Sequence, residues 1–114
     1  MHEVALARDL LKHVESRLDS DRIRVLRIDI AVGAAAGVIA DSLRLAFDLL
    51  AVGTRAEGAE IFINSLPARS RCTECGTIFE FESLIGNCTE CGRLGGELLS
   101  GSEITLRSME VADV

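Results

Sequence analysis

One five-residue phrase occurs twice in this chain, as Cys72-Thr73-Glu74-Cys75-Gly76 and Cys88-Thr89-Glu90-Cys91-Gly92, with twelve residues between Cys75 and Cys88. Two residues between cysteines let both sulfurs point into one tetrahedral site. The glycine that follows can take the positive φ that turns backbone N–H groups toward the sulfurs. The chain has four cysteines, all of them here, and the spacing is close to that of zinc ribbons. Cys72, Cys75, Cys88 and Cys91 are therefore the expected ligands of a zinc ion. Four protein ligands leave no position open for water, so such a zinc holds a fold and does not hydrolyse. Two other readings of four cysteines compete. Disulfides require an oxidising compartment, yet Met1 leads directly into a mixture of polar and apolar residues with no signal segment. A four-cysteine iron site is chemically allowed and would make the protein a coloured, rubredoxin-like electron carrier.

At 114 residues the chain can build one small domain and a metal-stabilised appendage. Hydrophobic residues make up 48% of it, but with four Phe and no Trp or Tyr the core must be aliphatic. The formal net charge is −6, and a zinc tetrathiolate adds about two more negative charges. Around the cysteines, Arg69, Arg71 and Arg93 are matched by Glu74, Glu80, Glu82 and Glu90. No basic stripe interleaved with aromatics appears, which argues against nucleic acid as a partner. The longest apolar run is too short and too interrupted by glycine to span a bilayer. A soluble, cytoplasmic protein is expected.

Along the chain, Val4, Ala7, Leu10, Leu11, Val14 and Leu18 mark one face of an amphipathic helix over residues 1–19, with Glu3 in its positive first turn. Residues 23–32 alternate, Leu26, Ile28, Ile30 and Val32 on one side and Arg27 and Asp29 on the other, as a half-buried strand does. Residues 33–37 are small and read as flexible. Asp41-Ser42 then opens a second helix through Leu43, Ala46, Phe47 and Leu50, with Gly53 as its stop. Residues 59–66 alternate through Ile61 and Ile63 and end at Pro67. Residues 77–84 can make a short hairpin arm between the knuckles. Residues 103–111 read as a further strand of the first sheet, with Ile104 and Leu106 in phase and Met109 and Val111 one residue out of phase, as a bulge near Arg107-Ser108 would leave them. The expected fold is α+β: a small mixed β-sheet with two helices on one face and an inserted four-cysteine zinc ribbon. The expected domains are 1–67 with 96–114, and the ribbon over 68–95.

His2 is the second candidate ligand. A histidine next to a free amino terminus offers its imidazole, the intervening amide nitrogen and the terminal amine to one ion. That favours square-planar nitrogen ligation, the geometry of nickel(II) and copper(II), and nickel can drive deprotonation of the backbone amides of His2 and Glu3. The first four N–H groups of a helix have no intrahelical acceptor, so replacing those protons breaks no ladder bond. From spacing alone, a histidine at position 2 is more often an exposed terminal side chain. His13 falls beside the apolar helix face, well over a turn from His2, and reads as a partly buried or surface residue. No Ser/His/Asp or Cys/His arrangement suggests nucleophilic catalysis, and residues 33–37 lack the lysine and spacing of a phosphate loop.

Met1-His2-Glu3, the Gly-x-x-x-Gly and Leu-x-x-x-Phe-Asp pattern within residues 33–48, and the two Cys-x-x-Cys knuckles together resemble the HypA/HybF family of hydrogenase nickel-incorporation proteins. The resemblance covers the whole chain. It implies a nickel metallochaperone and not an enzyme. Nickel would sit at His2, with Met1 and Glu3 contributing backbone nitrogens, and structural zinc at Cys72, Cys75, Cys88 and Cys91. It further implies delivery toward the large subunit of nickel-iron hydrogenase with a HypB-type GTPase, a route that serves urease in some members, and a monomer or weak homodimer. Relatives carry an acidic residue just after the small-residue loop. This chain has Ile39 there, with Asp41 two residues on. The alternative function is a transcription-type zinc-ribbon interaction module in which His2 is incidental.

Overall fold

The structure is a computed structural model and describes residues 2–113. Helix α1 (His2–Ser16) buries Glu3, Ala7, Leu10 and Val14, a stripe at the spacing of successive turns. Val4 lies at the edge of that stripe and Leu11 and Leu18 are half-buried. Helix α2 (Ala40–Leu50) buries Leu43, Ala46 and Phe47 and packs against α1. It begins at Ala40, one residue before the predicted Asp41, with Ile39 in extended conformation as its cap, and Gly53 takes a positive φ of 82° in the turns beyond its end.

Strand β1 (Ile23–Gly33) is central to a three-stranded sheet in the order β2-β1-β6, where β2 is Glu60–Leu66 and β6 is Ile104–Asp113. The late strand thus returns to the first sheet, as expected. Ile28, Ile30 and Val32 are buried, but the start of β1 corrects the expected alternation. Leu26 is 48% exposed while Val25 is 1% exposed. The Val25 N–H donates to the Arg55 carbonyl at 2.9 Å, so the turn after α2, with its fully buried Ala51 and Ala56, sets which residue is enclosed there. On the opposite face Arg27 donates to Asp29 at 2.9 Å, and its guanidinium stands 3.6 Å from the centre of the Phe62 ring. Ser108 on β6 donates to Asp29 as well, at 3.1 Å. In β6, Leu106 is buried and Met109 half-buried, in keeping with a one-residue slip of phase, but Val111 is exposed and Ala112 is the half-buried residue instead.

The cysteine region folds as a second three-stranded sheet, order β4-β3-β5, from β3 (Ala68–Arg71), β4 (Ile78–Phe81) and β5 (Glu97–Ser100). Residues 77–84 do not close on themselves as an arm. Residues 78–81 pair antiparallel with β3, Ala68 opposite Phe81 and Arg71 opposite Ile78, so the first knuckle is itself the turn of the hairpin. Strand β5 pairs with the other edge of β3.

By internal contacts the chain divides into two compact units. One comprises Met1–Ile30, Val38–Ile63 and Leu106–Val114, the other Ala31–Gly37 and Asn64–Thr105. The small-residue stretch belongs with the ribbon. It is ordered, with a 3-10 turn at Ala34–Ala36 that ends on Gly37 at φ 67°. Gly33 N–H donates to the Glu103 carbonyl and Ala35 N–H to the Gly101 carbonyl, both at 2.9 Å. Gly33 has an ordinary φ of −70°. What demands glycine is space, because a Cβ there would lie 2.1 Å from the Gly101 carbonyl oxygen. Backbone atoms cannot swing away as a side-chain tip can. Gly33→Ala is therefore expected to destabilise the protein by about 1–3 kcal/mol, the usual cost of overpacking. Thermal unfolding followed by circular dichroism checks this, and an unchanged midpoint would refute the close approach.

Candidate metal centre

The two knuckles repeat in structure what they repeat in sequence. In the first, Cys72 N–H donates to the Thr77 carbonyl at 2.8 Å and Gly76 N–H returns to the Cys72 carbonyl at 3.0 Å. In the second, Cys88 N–H donates to the Arg93 carbonyl at 2.9 Å and Gly92 N–H to the Cys88 carbonyl at 3.0 Å. Gly76 and Gly92 have φ of 75° and 76°, the left-handed conformation that a Cβ disfavours. Each turn places one buried cysteine, Cys72 or Cys88, and one exposed cysteine, Cys75 or Cys91. Phe79 packs with the buried pair, and Phe81 against it.

The four sulfurs lie within 4.8 Å of one another. Cys72 to Cys91 and Cys75 to Cys88 are each 3.5 Å apart, and Cys75 to Cys91 is 3.9 Å. These separations exclude disulfides, whose sulfurs stand about 2.05 Å apart. They suit a tetrahedral ion with metal–sulfur bonds of about 2.3 Å, which sets sulfurs about 3.8 Å apart. The protonation chemistry agrees. Cys75 is lowered to about 6, first by the Thr77 hydroxyl 3.2 Å away and by the Thr77 N–H. Cys72 is lowered by the N–H groups of Cys75 and Glu74. Cys91 is pushed up to about 11: the Arg93 N–H favours its thiolate, but the neighbouring sulfurs and burial outweigh that. So crowded a set ionises fully only around a cation, and a soft divalent ion displacing the protons fits this donor set. Among the described residues this is the one cluster of three or more such ligands.

At the other candidate site the structure places His2 and Glu3 in the first turn of α1, while Met1 lies outside the described residues. The His2 side chain is 54% exposed, with Nε2 3.3 Å from Glu3 Oε2. Glu3 is 7% exposed and its Oε2 accepts from the Ile39 N–H at 3.2 Å. That N–H is the chief reason the Glu3 carboxyl lies below its ordinary range, against burial, which raises it; the adjacent His2 also lowers it. A depressed folded value means this tie stabilises the fold above the unfolded carboxyl's range and is lost as acid titrates through the lower folded one.

The carboxylate of Glu3 is a role the sequence reading missed. Its signal was available, since positions 3, 7, 10 and 14 share one helix face. Ile39 offers no side-chain ligand, yet its backbone is what Glu3 holds. Asp41 is exposed and paired with Arg44 at 3.1 Å. His13 is exposed, 3.3 Å from the Arg17 guanidinium, and joins neither site.

The family described as "Hydrogenase/urease nickel incorporation, metallochaperone, hypA" matches residues 1–111. This chain belongs to the HypA family. Relatives include the hydrogenase maturation factor HypA of Dehalococcoides mccartyi strain CBDB1, 34% identical over 114 residues, covering 99% of this chain and 96% of that one. HypA of Chlorobaculum tepidum is 35% identical over 112 residues, covering 97% and 99%. The solution structure of the Ni metallochaperone HypA from Helicobacter pylori shares the fold, with a TM-score of 0.65 at 17% identity and 98% of each chain covered. The HypA fold here is thus two helices and small mixed sheets, with four cysteines gathered as a metal site. Nothing in these comparisons favours the transcription-type ribbon. Among the described residues no helix is long and apolar enough to cross a membrane.

Proposed function

We propose that this chain binds Ni(II) at its amino terminus through Met1, His2 and Glu3 and delivers it for maturation of nickel-iron hydrogenase, and of urease where that enzyme is the client. The observation that carries this reading is the exposed imidazole of His2 in a helical first turn, beside a Glu3 carboxylate anchored to Ile39. Nickel is cargo here, so its site must hold it firmly yet let it go. Imidazole, terminal amine and first-turn amides meet that need, because every one of them can be reclaimed by a proton. Glu3 serves twice. Its amide nitrogen completes the plane, and its carboxylate fixes the turn that presents His2.

Cys72, Cys75, Cys88 and Cys91 would hold zinc, which supplies the cross-link that a sheet of four-residue strands lacks. The proposed nickel-binding part is residues 1–67 and 96–114 and the cysteine-bearing ribbon is 68–95; the segment Glu97–Ser100, just past that boundary, pairs with β3 and completes the ribbon's sheet. The nucleotide-driven step is assigned to a HypB-type GTPase. The large subunit of the hydrogenase, or its maturation complex, receives the ion in the cytoplasm.

The test is a calorimetric nickel titration of zinc-loaded protein with its native amino terminus, beside the same protein carrying one extra residue before Met1. One nickel should bind the native form, with affinity at least about 100-fold above that of the extended form, more than loss of an outer-shell partner costs. Equal binding by both, or by neither, would overturn the amino-terminal site.

A further inference from the structure

As metal ligands the four cysteines act alike, but two of them face the solvent. Cys75 and Cys91 are exposed, while Cys72 and Cys88 are buried and pack with Phe79. Exposed and buried sulfurs are crossed between the knuckles. The Cys75 sulfur lies 3.5 Å from that of Cys88, and the Cys91 sulfur 3.5 Å from that of Cys72. Each exposed sulfur is thus about 1.5 Å of movement from a disulfide with a buried sulfur of the opposite knuckle. Metal-bound cysteines are thiolates, the form that oxidants attack.

We propose that this centre is an oxidation site for hydrogen peroxide, at which Cys75 and Cys91 react first and each closes a disulfide across the knuckles, Cys75 with Cys88 and Cys91 with Cys72. The inference rests on zinc being the ion held there. In the first step the exposed thiolate attacks one peroxide oxygen. A sulfur–oxygen bond forms, the oxygen–oxygen bond breaks, and a sulfenic acid and one hydroxide result. In the second, the buried thiolate of the other knuckle attacks the sulfenic sulfur. The sulfur–sulfur bond forms and the sulfur–oxygen bond breaks, releasing a second hydroxide that water protonates. Two thiolates have lost one electron each, and the peroxide has gained two. Each disulfide takes two ligands from the ion, so the first already opens the site. Four cysteines allow three pairings. The crossed pairing joins residues 13 and 19 positions apart, whereas bridges within a knuckle would join residues only three apart, and bridges over longer loops constrain a chain more. The oxidised ribbon therefore gives up its ion but keeps its knuckles tied, and a dithiol restores the site.

Hydrogen peroxide added in steps to the zinc-loaded full chain tests this, with released zinc read by a chromogenic chelator and the cysteines mapped by mass spectrometry after cleavage at glutamate. Glu74, Glu80, Glu82 and Glu90 fall between successive cysteines, so each cysteine lies on a peptide of its own. Zinc release should track disulfide formation, with Cys75 linked to Cys88 and Cys72 to Cys91. Dimedone present during the reaction should label Cys75 and Cys91. Dithiothreitol and added zinc should then return the full metal content without a denaturation step. Bridges within a knuckle, or one between the exposed sulfurs of Cys75 and Cys91, 3.9 Å apart, would overturn the proposal. So would dimedone on the buried pair, or zinc retained throughout, or zinc lost while all four cysteines stay thiols. Metal content before peroxide is added judges the zinc reading separately: a chain that carries another ion fails that reading, while the disulfide map still decides this one.

Discussion

The native chain is expected to carry one zinc and Cys88→Ser protein none, and the variant is expected to lose the ordered ribbon with it. The ribbon sheet consists of three strands of four residues each. Its buried cluster is Cys72, Phe79 and Cys88, with Phe81 packed against it. So small a core does not offset the chain entropy of the residues it orders. Structural zinc sites bind with about 10–16 kcal/mol, comparable to the whole stability of an ordinary domain. Removing one of four thiolates removes most of that, and it also leaves three crowded sulfurs with no cation to neutralise them. Metal analysis gives the stoichiometry, and hydrogen exchange gives the location. Amides of Cys72, Gly76, Cys88 and Gly92, all hydrogen-bonded within the knuckles, should lose protection, while α1 and α2 keep theirs. A chelator acting on the native protein should reproduce the pattern. A serine variant that retained one zinc and protected knuckles would show that the cysteines are not what holds the ribbon.

The second large effect concerns nickel. His2→Ala should weaken nickel binding by more than about 100-fold, since it removes a ligand and not merely an outer partner. In the native protein, affinity should fall as the solution is made more acid, because protons compete with the ion for every nitrogen donor. The sign follows from competition: each proton bound at these nitrogens must leave before the ion can enter. Glu3 is not the source of that slope, because its carboxyl titrates below the ordinary range and stays ionised throughout. A Glu3→Gln protein should therefore keep the slope even where its affinity is lower. Affinity independent of pH between mildly acid and mildly basic solution would count against nitrogen ligation altogether.

Much of the architecture was legible because it is encoded over short distances. Each knuckle is a closed ring of five or six residues whose hydrogen bonds run from the first cysteine to the carbonyl five positions on, so its geometry follows from cysteine spacing and one glycine. The helix faces through Ala7, Leu10 and Val14 and through Leu43, Ala46 and Phe47 follow from periodicity, as does the interior of β1. What periodicity could not decide lies where another part of the chain supplies the neighbour. Val25 is enclosed in place of Leu26 because Arg55, thirty residues later, receives its N–H. Strand β5 has no alternation to announce it, with Leu98 and Leu99 both exposed, and exists because β3 pairs with it. Residues 33–37, flexible by composition, are ordered by Gly101 and Glu103.

By itself, then, the sequence named the donor groups of both candidate sites: four cysteines at zinc-ribbon spacing, and the His2 imidazole. The tertiary structure decided how those groups are held. It closed two separate knuckles on one centre, joined Gly33 to Gly101 at a distance that admits no side chain, and bound the Glu3 carboxylate to the Ile39 backbone. The physical reason is range. Ligand identity and turn geometry are properties of a few consecutive residues, whereas a hydrogen bond between residues thirty to seventy positions apart depends on where every intervening element has packed.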